Sequence, residues 1–159
     1  SFNAVQKLNL PAILAFHLPG NLPPVYLTLN GIDDEKIALR GGKKDISIEL
    51  EPSDLESYWS GVAYIPWKNF LSLSGTIPLD SPGDSIITLK MLLRNIGFNT
   101  VEINPFYDEN TRQAIKYVQG KYGIHVDGVV GSTTKIALYN EKNFKGIPHI
   151  SKFSNLNIR

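Results

Sequence analysis

The chain has 159 residues, enough for one ordinary domain or two small ones. Apolar residues make up 42% and charged residues 19%, which excludes a disordered chain. The formal net charge of +1 leaves no electrostatic case for nucleic acid or an anionic membrane surface as a partner.

Residues 12–16 form the first predicted strand, before the loop Pro19-Gly20-Asn21-Leu22-Pro23-Pro24. Val25, Leu27 and Leu29 then alternate with Tyr26, Thr28 and Asn30, a period of two that turns one face to a core and the other to water. A third strand, 36–40, is entered through Asp33-Asp34 and left through Gly41-Gly42, both turn pairs. Ile46, Ile48 and Leu50 alternate with Ser47 and Glu49 as a fourth strand. Ser53-Asp54-Leu55-Glu56 has the spacing of a capping box and predicts a short helical turn, after which residues 62–65 make a fifth strand. Residues 10–67 thus read as a small antiparallel sheet.

The period changes after a boundary placed near residues 70–78, which are rich in Ser, Gly, Thr and Pro. Ile86, Leu89, Leu93 and Ile96 fall three and four apart, the stripe of an amphipathic helix capped by Ser81 and stopped by Gly97. Asp108 caps a second helix with Thr111, Ala114, Ile115, Val118 and Tyr122 inside and Gly123 at its end. Ser132 or Thr133 caps a third, short one with Ile136, Ala137 and Leu138 inside. The expected fold class is α+β. A small antiparallel sheet domain (1–75) precedes a three-helix bundle (76–140), and a polar tail (141–159) carries Phe144, Ile147, Ile150 and Phe153. The tail has no decided packing partner.

Chemistry is sparse. There is no cysteine, which removes disulfides, thiolate metal sites and a cysteine nucleophile, and which fits an oxidising compartment. His17, His125 and His149 have no ligand spacing between them, so neither a metal nor a cofactor is expected, and His125 reads as a surface loop residue. Asp33-Asp34 and Asp108-Glu109 read as a turn and a helix N-terminus, where acids are favoured by backbone dipoles, rather than as a catalytic pair. No Gly-x-x-x-x-Gly-Lys-Ser/Thr loop is present. Trp59 and Trp67 sit among apolar residues and are expected to pack between sheet and helices. No run reaches the roughly 18 apolar residues of a membrane span. Nor does Ser1 open a basic and apolar leader, so a piece of a longer protein is expected.

One stretch carries a resemblance. Gly83 and Leu89, then Asp108-x-x-Thr111-x-x-Ala114-Ile115-x-x-Val118-Gln119, then Gly123-Ile124-His125-Val126-Asp127-Gly128-Val129-Val130-Gly131-Ser132-Thr133-Thr134 resemble the bacterial peptidoglycan-binding domain. Lys90 stands where that family usually has Gln, and Val118 where it has Phe. These departures are read as helix-surface and core-volume changes. The resemblance implies a non-catalytic binder of peptidoglycan. In the residues themselves, Asp127-Gly128 reads mainly as a turn and Thr134 as a backbone-bonding side chain.

For wall binding the candidates are Arg94, Tyr107 and Arg112, with Asp127 beside them, since a planar guanidinium pairs bidentately with stem-peptide carboxylates. In the first half, Pro11-Ala12-Ile13-Leu14-Ala15-Phe16, Val25 to Gly31, Leu55 and Trp59-Ser60-Gly61 resemble the back half of bacteriocin-processing cysteine-peptidase-like domains. Here Pro23-Pro24 fills the histidine region and the nucleophile is missing, so a degenerate, non-catalytic sheet is expected. The tandem is similar to the periplasmic part of the general secretion pathway protein A family. That similarity implies a periplasmic piece of an inner-membrane protein that helps secretin assembly in type II secretion. Peptidoglycan and secretion-system proteins such as the secretin are the partners it implies, with a homo-oligomer through the full-length protein. The alternatives left open are a protein-interaction or oligomerisation module without glycan affinity, and an accessory part of a wall hydrolase.

Overall fold

A computed structural model describes residues 1–20, 22–33, 35–41 and 46–150. Asp34, Gly42 and the tail residue Phe153, all used in the sequence reading, lie outside the described residues. The chain divides into two compact units, Ser1–Pro66 with the described residues 148–150, and Trp67–Ile147.

The first unit is a five-stranded, wholly antiparallel sheet preceded by a helix. Its elements are α1 (Phe2–Leu8), β1 (Ala12–Phe16), β2 (Val25–Ile32), β3 (Ile37–Gly41), β4 (Ile46–Leu50), α2 (Pro52–Tyr58) and β5 (Trp59–Tyr64). The strand order is β4-β3-β2-β1-β5. Register follows the alternation: Ala12 faces Leu29, Leu14 faces Leu27 and Phe16 faces Val25, so one set of apolar side chains shares a face. That face is the core, where Leu14, Phe16, Leu29 and Leu39 meet Phe2 and Val5 of α1, Leu55 of α2 and Ile150. Tyr26 and Tyr64 lie on the opposite face, ring centroids 6.2 Å apart.

Three local expectations need correcting here. Residues 2–8 were left without structure, yet Phe2, Val5 and Leu8 recur every three residues and are buried as one side of α1. The capping-box reading of Ser53 fails, because α2 starts two residues earlier: Glu51 is the N-cap, Pro52 fills the first turn, and no side chain caps it. β5 begins at Trp59, not residue 62, because Ser60 Oγ donates to the Ala15 carbonyl at 2.7 Å and ties the strand to β1 at its bulge.

The second unit packs α3 (Gly83–Asn95), α4 (Glu109–Tyr122) and α5 (Ser132–Lys142) together in all three pairings. Leu89, Leu93, Ile115, Ala137 and Leu138 are sealed from solvent. α4 behaves as its sequence suggests: Asp108 accepts from Thr111 N at 2.8 Å and Oγ1 at 2.7 Å, and Gly123 closes the helix in the left-handed region at φ 63°. The other two caps do not hold. α3 is preceded by Pro82 and α5 by Gly131, neither helped by a side chain, so Ser81, Ser132 and Thr133 are not caps. α5 is also longer than expected, at 11 residues, and buries Tyr139 in its later turns.

Residues 67–80 are packed onto this unit. Asn69 Oδ1 accepts from the Tyr139 hydroxyl at 2.5 Å, and Phe70 stacks on Phe144 at 5.1 Å. The Lys135 ammonium donates to the carbonyls of Leu73 and Gly75 at 2.8 and 2.7 Å. Ile77 pairs with Val130 through backbone bonds in both directions. By contacts, therefore, the division falls at 66/67, ahead of the Ser/Gly-rich stretch. Each tryptophan packs within its own unit: Trp59 meets Phe2 edge-on at 5.7 Å, and Trp67 tilts over Tyr139 at 6.2 Å.

Candidate functional site

The loop after α4 is organised by one buried amide. Gln119, 1% exposed, accepts through Oε1 from the backbone N–H groups of Asp127 (3.1 Å) and Gly128 (2.9 Å). Through Nε2 it donates to Asp127 Oδ1 (2.9 Å), the Val129 carbonyl (3.0 Å) and Thr134 Oγ1 (3.2 Å). An amide supplies both acceptor and donors, so a single side chain satisfies both polarities of backbone in the turn. Asp127 Oδ1 also accepts from Val129 N at 2.8 Å, and Thr134 Oγ1 donates to the Val129 carbonyl at 3.2 Å. Gly128 is required twice. Its φ is +74°, and a Cβ there would lie 2.8 Å from Arg112 Cγ.

Asp127 thus spends one oxygen on the turn and turns the other toward His125 Nε2 at 3.9 Å. The Val129 N–H holds its carboxyl below the usual carboxylate range, helped by Gln119 and His125 against the opposing effect of burial. A cleft of about 350 Å³ opens beside it, lined by Thr76, Gln119, His125, Asp127 and Thr133 among others.

On the α4 side of the loop, the Tyr107 hydroxyl donates to the Gly128 carbonyl at 2.6 Å. Arg112 lies over the Tyr107 ring, 5.8 Å from its centroid, with Nε 3.6 Å from Glu109. Burial pushes the Tyr107 phenol well above its ordinary pKa, and the Arg112 charge only partly offsets this. The phenol therefore stays a neutral donor. Tyr107, Arg112 and Asp127 are brought to one loop; Arg94 is not. It ends α3, exposed, with no side-chain partner among the described residues.

Lys90 overturns its surface reading. It is wholly buried, and its ammonium donates to Asn104 Oδ1 at 2.7 Å and Asp108 Oδ2 at 2.5 Å. Asn104 Oδ1 also accepts from Phe106 N at 3.0 Å, so one lysine fixes both the connection ahead of α4 and the cap of α4, on either side of Tyr107. Burial raises the Asp108 carboxyl, but hydrogen bonds from Lys90 and Thr111, with the Lys90 charge, outweigh it and leave the pKa at about 2. The spacing held the clue: Lys90 is four residues after Ile86 and three before Leu93, inside the apolar stripe. Gln119 was visible in the same way, as a polar residue between Val118 and Tyr122 on the inner side of α4. Among the described residues, no group of three His, Asp or Glu side chains could hold a metal ion, and no helix is long and apolar enough to cross a membrane.

Residues 82–138, from the first turn of α3 into α5, match the family described as "Putative peptidoglycan binding domain". The helical unit therefore carries a domain of this type, as its motif order implied. No curated protein sequence matches the chain. Among solved structures it is similar to the crystal structure of a periplasmic domain of the EpsAB fusion protein of the Vibrio vulnificus type II secretion system. The identity is 20% and the TM-score 0.40, with 89% of this chain and 61% of that chain covered.

Proposed function

We propose that the helical unit binds peptidoglycan through the face built by Tyr107, Arg112 and Asp127, without catalysing a reaction on it. One observation carries the reading: Arg112 stands over the Tyr107 ring, whose hydroxyl is tied to Gly128 beside Asp127. A guanidinium held over a fixed ring presents its fork with little further loss of freedom, which suits a stem-peptide carboxylate. The outward oxygen of Asp127 suits an ammonium or amide N–H of the same peptide. Arg94 is a separate contact to the polymer, outside this group.

The family match over residues 82–138 supports the wall as partner. The secretion setting rests on the tandem of sequence stretches described above. In that setting the chain lies in the periplasm and anchors a type II secretion component to the cell wall, with the secretin or another secretion protein as neighbour.

The test is co-sedimentation of the chain with intact sacculi, beside Arg112→Ala and the Arg94→Ala/Arg112→Ala pair. The parent is expected in the pellet and Arg112→Ala largely in the supernatant. A parent that stays in solution overturns the function; a variant that pellets like the parent overturns the site.

A further inference from the structure

A second hollow on the helical unit has a different chemistry. It has a volume of about 220 Å³ and is lined by Phe98, Thr100, Asn110, Gln113, Ala114 and Tyr117. None of these side chains is charged, in contrast to the Arg112 and Asp127 face. Phe98 and Tyr117 form a corner, centroids 5.7 Å apart and planes at 73°. Tyr117 is 66% exposed, and its hydroxyl has no hydrogen-bond partner among the described residues. Ala114, which also lines the hollow, is buried. The Asn110 amide reaches the Thr100 carbonyl at a long 3.4 Å and Gln113 Nε2 reaches Glu109 at 2.6 Å. The acceptor oxygens of both amides remain open.

We propose that this hollow is a saccharide subsite that takes one uncharged, N-acetylated sugar ring of the glycan strand. The proposal rests on the wall-binding reading above and adds to it the part of the polymer read at this face. The electron-rich face of an aromatic ring attracts the polarised C–H face of a pyranose. Amides that both donate and accept match hydroxyl and acetamido groups, and an uncharged lining asks no desolvation of an ion.

Position supports the same occupant. Residues three apart are neighbours on a helix surface, so Gln113 adjoins Lys116, and Tyr117 follows it. Asn110, Gln113, Ala114 and Tyr117 share one flank of α4 and Arg112 and Lys116 share another, with Gln113 and Lys116 nearest each other across the exposed side. In peptidoglycan a sugar and its stem peptide are joined covalently, so one ligand can engage both. A weak ring subsite then contributes through local concentration along a repeating polymer.

The test is titration of the isotope-labelled full chain with triacetylchitotriose, a neutral trimer of N-acetylglucosamine without peptide, followed by amide chemical shifts. Perturbation is expected at Phe98, Thr100, Gln113 and Tyr117, with a Kd on the order of 1 mM as befits a shallow site. Tyr117→Ala is expected to weaken binding at least about tenfold, and Gln113→Ala a few-fold, with both spectra remaining those of a folded chain. No perturbation at tens of millimolar, perturbation confined to other residues, or a Tyr117→Ala variant that binds like the parent would each overturn the subsite. Sacculus pelleting run in parallel separates the two claims. Pelleting without trimer binding removes the saccharide subsite alone, and trimer binding without pelleting overturns the wall-binding function, and the glycan strand as occupant with it, leaving a site for free saccharide.

Discussion

The two units both have an apolar interior but fix their segments by different means. The sheet unit has an apolar interior in which Leu14, Leu29 and Leu39 meet two short helices, and its geometry comes from strand register. In the helical unit, three buried polar side chains fasten segments that have little regular structure of their own: Lys90 for the approach to α4, Gln119 for the Asp127-Gly128 turn and Lys135 for residues 73–75. Apolar burial is non-directional and makes a unit compact. A buried amide or ammonium is satisfied only in a narrow set of geometries, and so it fixes where a loop goes. Tyr107 and Asp127, two of the residues proposed above for binding, lie on segments of the second kind, and Arg112 stands beside them on α4.

That contrast can be broken from either side, and the single tryptophan in each unit reports on each separately. The largest effect is expected from Leu14→Ala. Leu14 is fully buried, and its loss should cost about 3–5 kcal/mol, seen as early unfolding reported by Trp59. Gln119→Ala should cost about 3 kcal/mol, because the amide's partners stay buried and unsatisfied. Here the signature is loss of amide-exchange protection at Gly128 and Val129 first, which an apolar truncation in the sheet does not produce. Uniform loss across both units would sink the distinction.

Lys90→Met should be milder, about 2 kcal/mol, since Asp108 keeps part of its solvent contact. Its sharper readout is pH. The Asp108 carboxyl is lowered in the folded chain, so its contribution is fully present above its unfolded value near 4 and lost as pH falls through about 2. Acid unfolding of the helical unit should accordingly steepen between about pH 4 and 2 in the parent and flatten in Lys90→Met; equal slopes would refute the pairing. Smallest in stability is Arg112→Ala, within about 0.5 kcal/mol by thermal unfolding, although its effect on wall binding should be about tenfold.

Much of this organisation could be read from the chain. Alternation found β2 and β4, although Ile46 and Ile48 of β4 stay exposed, while turn residues and flanking loops marked the other three strands, and the Asp108 and Gly123 ends of α4 follow from side-chain type. Helix α1 was missed because seven residues give a three-residue recurrence too little room to stand out. The failed caps share a cause. Ser53, Ser81 and Ser132 were chosen for their hydroxyls, yet Pro82, Gly131 and the Glu51-Pro52 pair begin those helices through backbone geometry alone. At the site, Tyr107, Arg112 and Asp127 were named from residue type. That Gly128 joins them depends on which loop a buried amide holds, and that Arg94 stands apart depends on where the end of α3 lies; a linear pattern encodes neither.

The burial of two lysines has a practical consequence. Lys90 and Lys135 are closed to solvent, while Lys121 is open at the surface. An amine-acylating reagent applied to the folded chain will mark Lys121 and spare the two hidden ammonium groups until the helices part. Digestion and mass spectrometry then report the integrity of the helical unit residue by residue. The readout works equally in turbid suspensions such as sacculi, where optical signals fail.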